Sequence, residues 1–139
     1  VGLDIEYVEQ EELLAESDFV SLHVPLLDAT HHLIGESEFQ QMKEEAILIN
    51  TSRGPVIDPD AMDTALENDW ITRVGLDVTE PEPLPADHEL TRHIPEKLIV
   101  TPHIASASIQ TRNKMARMAA ENLIAGLEGK PLPNSAHED

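Results

Sequence analysis

Short apolar runs alternate along the chain with segments whose apolar residues recur at helical spacing. The runs Asp18–Val24 (DFVSLHV), Ala46–Asn50 (AILIN), Val74–Val78 (VGLDV) and Leu98–Thr101 (LIVT) predict strands, with Ile5–Val8 as a further short one. Most are continuously apolar rather than alternating, which is the pattern of a strand covered by helices on both faces.

Helices are expected between them. Gln10–Glu16 carries Leu13, Leu14 and Ala15. Ser37 followed by Gln40 has capping-box spacing, which predicts a helix over Ser37–Lys43. Asp58 followed by Pro59 fits an N-cap and a first helical residue, opening a helix that runs to about Asn68. Ile109, Met115, Met118, Ala119 and Leu123 predict a long last helix from Ser108 to Leu127, ended near Gly129, with Met115 and Met118 in the core. Strands and helices joined by connections this short imply an α/β fold with a mainly parallel, doubly wound sheet of the Rossmann type.

Composition narrows the function classes. Twenty-seven acids against nine Lys and Arg give the 139 residues a formal net charge of −18. Nucleic acid and anionic membranes would be repelled, so neither is an expected partner. An acidic surface poor in Lys predicts a salt-loving source. No apolar run is long enough to span a bilayer. The first eighteen residues hold seven acids and no basic segment, unlike a secretory signal. With no cysteine, neither disulfides nor thiol chemistry is available, and a cytoplasmic location is expected.

In open parallel sheets ligands bind beyond the carboxyl ends of the strands. His23 and Pro25, Thr51–Gly54, Asp77 with Glu82, and His103 all follow predicted strands. One Arg, two acids and two His are therefore expected around one crevice. Such a set suits hydride transfer to a 2-keto acid. An Arg fork holds a carboxylate, a His near neutrality protonates the carbonyl oxygen, and a carboxylate beside that His fixes its tautomer. Each residue has a blander reading: Arg53 as a turn-closing surface residue, His103 as a satisfied loop histidine, Asp77 as a strand-end cap. Glu80 competes with Glu82 for the place beside His103, and His23 is a cofactor wall or simple packing. His31 and His32 are adjacent, and paired metal ligands normally need helical or hairpin spacing to converge. No metal site is expected there.

NTSRGPVID, GLDVTEPEPLP, TPHIASAS and, before them, LHVPLLDATHHLI resemble the successive signatures of the D-isomer-specific 2-hydroxyacid dehydrogenases, in order and over nearly the whole chain. Within that family they look most like glyoxylate and hydroxypyruvate reductases. Phosphoglycerate dehydrogenase remains an alternative, as does a dinucleotide-sensing module that binds a protein partner; a flavodoxin-like interaction domain is a more distant one. The resemblance implies NAD or NADP as cofactor and a small 2-keto or 2-hydroxy acid as substrate. It implies that Arg53 pairs with the substrate carboxylate, that His103 is proton donor in reduction and base in oxidation, and that Glu82 hydrogen-bonds His103. Val24, Pro25 and Thr30 would line the adenine and phosphate side, with Thr51 and Arg53 also touching the cofactor. Asp77 would sit by the nicotinamide carboxamide, and His103 to Ser106 beside the ring. The family's glycine-rich pyrophosphate turn has no counterpart among the six glycines. Residues 1–130 are accordingly read as a partial nucleotide-binding domain without its first βαβ unit, and 131–139 as a tail or the stump of a link. A homodimer is expected of the intact protein, and no useful turnover of this piece alone.

Overall fold

The computed structural model describes residues 5–135, and the chain divides after His103 into two compact units. The first holds α1 (Gln10–Glu16), β1 (Phe19–Leu22), α2 (Glu36–Gln41), β2 (Ile47–Asn50), α3 (Pro59–Glu67), β3 (Arg73–Leu76) and β4 (Leu98–Val100). Two 3₁₀ turns, Gly54–Val56 and Glu89–His93, complete it. The four strands form one parallel sheet in the order β1-β2-β3-β4. Leu22 pairs with Asn50, Asn50 with Leu76, and Leu76 with Val100, so the four strands end together along one edge. Everything that follows a strand is thereby delivered to the same side of the molecule.

The expected strands are present, each trimmed at its ends. Ile5–Val8 is an exception: it pairs with no strand among the described residues, and Tyr7 is 96% exposed. Within this unit the strands bury one face of the sheet. Val20, Leu22, Leu48, Asn50, Val74, Leu76 and Leu98 are buried, whereas Phe19 and Ile99 point outward at 69% and 59% exposure. Right-handed crossovers that step in one direction across a sheet lay their helices on one face. There Leu14, Phe39 and Leu66 pack with Ile71 over the buried strand residues. The expected mainly parallel, Rossmann-type sheet is present, with these apolar runs supplying the core of the unit.

Local chemistry sets the helix boundaries. Helix α2 starts one residue earlier than Ser37 would place it, with Gly35 at the N-cap. The Glu38 carboxylate reaches back to the Gly35 amide at 3.0 Å, while the Ser37 hydroxyl donates to Glu38 at 2.8 Å and caps nothing. Burial works to raise the Glu38 pKa, but the bonds from Ser37, Gly35 and its own amide outweigh it and hold the carboxyl below its usual value. Its contribution is thus present above the unfolded pKa and is lost as pH falls through the lower folded one.

Asp58 caps α3 as expected, accepting from the amides of Asp60 and Ala61 at 3.0 and 3.2 Å. Asp58→Ala should cost about 1 kcal/mol, read in urea unfolding, whereas Asp58→Asn should be nearly neutral. Equal stability of the alanine variant and the parent would show that water replaces the cap.

The second unit contains one helix among the described residues, α4 (Ile109–Leu127), capped by Ser108 and followed by Gly129 at φ 68°. Met115 is 54% exposed and Met118 half-buried, and Ala125 is the only buried residue of the helix. The expectation that both methionines are core is corrected. A lone helix has no second element in its unit against which to bury its apolar stripe.

Candidate active site

The loops that leave the aligned strand ends build two recesses. The first, about 370 Å³, lies beyond β3 and β4 and is lined among others by Asp77, Thr79, Glu82, Leu84, Thr101 and His103. Its defining contact is His103 Nδ1 to Glu82 Oε1 at 2.7 Å. A carboxylate only accepts, so Nδ1 carries the proton of that bond and Nε2 is left to exchange one. Both side chains stay about half exposed, at 49% and 42%, open to a reacting molecule. His103 sits at φ 53°, in the left-handed region that a non-glycine residue occupies at a cost of roughly 1–3 kcal/mol. Its amide bonds back to the Thr101 carbonyl at 3.0 Å, which fixes the turn that presents the ring.

The floor of this recess is ordered by buried polar groups. Asp77 is 5% exposed, and the Thr101 hydroxyl donates to its Oδ1 at 2.5 Å. The Asp77 amide donates to the Asn50 carbonyl, which ties the end of β3 to β2. Sequence reasoning singled out Asp77 but not Thr101, whose place directly after an apolar run was the available signal.

The second recess lies beyond β1 and β2 and is lined by His23, Val24, Pro25, Leu26, Ser52 and Arg53. Arg53 is exposed, and its Nη1 donates to the Ser52 carbonyl at 2.6 Å. Among the described residues no carboxylate pairs with Arg53, in a chain with three acids for every Lys or Arg. The loop that carries it is held from beneath by Asn50, which is fully buried. Asn50 Nδ2 donates to the Arg53 carbonyl at 2.8 Å, and Oδ1 accepts from the Ser52 amide and hydroxyl at 3.0 and 2.8 Å. Asn50 escaped the sequence reading because it closes an apolar run, where its amide looked like a strand end.

Most of the expected residues thus line recesses along one sheet edge. His103, Glu82 and Asp77 line one, and Val24, Pro25 and Arg53 line the other, together with His23. Thr30 and Thr51 line neither. The Thr30 hydroxyl is spent on its own loop, donating to the Pro25 carbonyl at 2.6 Å and accepting from the Leu27 amide at 2.8 Å. Ser106 is exposed and belongs to the second unit. The rivalry between Glu80 and Glu82 is decided by geometry: Glu80 Oε2 is taken by His32 Nε2 at 2.9 Å, which leaves Glu82 for His103.

The two recesses depend on one close backbone approach. An added Cβ on Gly54 would lie 2.0 Å from the Thr79 carbonyl oxygen, so the turn after Arg53 rests directly on the strand end that leads to Glu82.

Comparison with known proteins agrees with this layout. Residues 2–105 match the family model of the D-isomer specific 2-hydroxyacid dehydrogenase, NAD binding domain. The chain is 52% identical to a glyoxylate reductase of Korarchaeum cryptofilum, covering 99% of this chain and 41% of that one. It is 46% identical to the human glyoxylate reductase/hydroxypyruvate reductase, covering 93% and 39%. A crystal structure of the TT0316 protein from Thermus thermophilus superposes with a TM-score of 0.86 at 46% identity, over 97% of this chain and 42% of that one. The chain spans about two fifths of the length of the curated relatives it matches. With its parallel sheet, its paired His103 and Glu82 and a family match over most of its length, the chain belongs to the NAD-binding domain of the D-isomer-specific 2-hydroxyacid dehydrogenases.

Proposed function

We propose that this chain holds the cofactor and supplies the acid–base pair in an NAD(P)H-dependent reduction of a small 2-keto acid, of the glyoxylate or hydroxypyruvate type. The observation that carries this reading is the His103–Glu82 pair, set on the same sheet edge as an Arg53 that no carboxylate among the described residues engages. The residues fit a nicotinamide dinucleotide. Val24, Pro25 and Leu26 give an apolar wall for a flat ring, with the Ser52 hydroxyl and Arg53 guanidinium as polar donors beside it. Asp77 offers a fixed acceptor for an amide in the other recess. The bound nicotinamide supplies the hydride.

This chain's own residues do the rest. Arg53 holds the substrate carboxylate as a charge-assisted pair. His103 gives the Nε2 proton to the carbonyl oxygen in reduction and takes it back in oxidation. Glu82 keeps the ring in the Nδ1-protonated tautomer and stabilises the charged imidazolium. No helix among the described residues is long and apolar enough to cross a membrane. The acid-rich composition supports a salt-loving source.

The test is oxidation of NADH and NADPH with glyoxylate and with hydroxypyruvate, in the natural protein that carries this sequence and at high salt. Turnover with either acid is expected. Clear dinucleotide binding without turnover of any small 2-keto acid would overturn the reading and favour a sensing module. In the same assay Arg53→Gln should raise KM for the keto acid about tenfold to a hundredfold, the worth of one hydrogen bond to a charged group. An unchanged KM would move the carboxylate anchor elsewhere.

A further inference from the structure

His31, His32 and Glu80 stand apart from both recesses, and nothing in the proposed chemistry uses them. One ligand atom from each lies within 4.8 Å of the other two. Adjacent residues usually project apart, which is why the sequence argued against a metal here. The backbone removes that objection. His32 takes φ 51°, one of three non-glycine residues in the left-handed region among the described residues, and the two rings come together with centroids 4.0 Å apart. The turn is held in place. The His32 amide donates to the Pro55 carbonyl at 2.7 Å, and Ile34 bridges Ile57. Glu80 arrives from the strand end that Gly54 presses against. Three distant parts of the chain are thus braced around two imidazoles and a carboxylate, and left-handed backbone at a non-glycine residue costs free energy that packing must offset.

We propose that His31, His32 and Glu80 form a binding site for a divalent first-row cation of the zinc class. Two imidazole nitrogens and one carboxylate oxygen are a borderline donor set of the kind zinc takes, with water filling the fourth position. Tetrahedral bonds of about 2.1 Å space the ligand atoms by roughly 3.4 Å, so closure around the ion requires only side-chain rotation. His31 is exposed and free to make it. A second feature points the same way. With the ion on His32 Nε2, the remaining ring proton sits on Nδ1, and Nδ1 faces Asp58 Oδ2 at 3.7 Å. A carboxylate behind a ligating histidine is the usual outer partner of such sites. The other oxygen of Asp58 caps α3, so that carboxylate is already oriented. The ion would pin Glu80, two residues before Glu82, and so brace the loop that serves His103.

The test is calorimetric titration of the natural, tag-free protein with Zn²⁺ alone, beside His31→Ala, Glu80→Gln and His103→Gln. One ion per chain at micromolar affinity or tighter is expected, weakened at least about tenfold in the first two variants and unchanged in the third. Circular dichroism and melting of the exposed-site variant His31→Ala, with the fold expected intact, separate lost ligation from lost structure. No binding up to millimolar Zn²⁺, or binding abolished only by His103→Gln, would overturn the proposal. Neither readout depends on turnover, so the site and the dehydrogenase reading stand or fall separately.

Discussion

His103→Gln is expected to lower kcat for keto-acid reduction by about 10²–10⁴-fold, the usual worth of a placed acid–base group. Glutamine keeps the size and polarity of the side chain, and its amide can still meet Glu82. It has no proton to give at neutral pH. Dinucleotide affinity should therefore stay within a few-fold of the parent, because the lost function is proton transfer rather than shape. Glu82→Gln should cause a smaller fall, because the imidazole remains but its tautomer and charge are no longer held across the 2.7 Å contact. The half-exposed pair carries little of the fold, so both variants should melt near the parent temperature. Full turnover by His103→Gln would remove this histidine from the chemistry.

The second large effect is on stability. Gly54→Ala should destabilise the chain by about 3 kcal/mol or more, at the high end of overpacking. The added Cβ would fall 2.0 Å from the Thr79 oxygen, 2.2 Å from the Thr79 carbonyl carbon and 2.9 Å from the Glu80 nitrogen. All three are backbone atoms at a strand end, so no side chain can swing aside. The cost comes from packing rather than from conformation, since Gly54 has no left-handed φ. One domain-sized unit loses roughly 4–8 °C per kcal/mol, so melting should drop by about 10 °C or more. The relief most open to the chain is to push the 79–82 segment away, which would also part Glu82 from His103. An alanine variant that melts with the parent and keeps turnover would show that the approach is looser than described.

The sequence alone determined the order and type of the main elements. Strands and helices were legible because their signals are local: apolar runs bounded by turns, Asp58 before Pro59, Ser108 before the last helix. The proposed site residues Arg53, Glu82 and His103 could be singled out because they occupy recognisable motifs directly after strands, and parallel pairing brings strand ends together. What only the tertiary structure decided was which of several equivalent groups meet. Glu80 and Glu82 are alike in sequence, and a contact 48 residues away, to His32, assigns them. The Thr30 hydroxyl meets the Pro25 carbonyl and the Leu27 amide of its own loop, partners that its motif does not name. Gly54 carried no sign of the Thr79 backbone it touches, nor Asn50 of the loop it supports. The exposed Met115 escaped because periodicity reports that a face is apolar, not whether another element covers it. Pairing, coverage and close approach arise between residues far apart in the chain, and no local pattern encodes them.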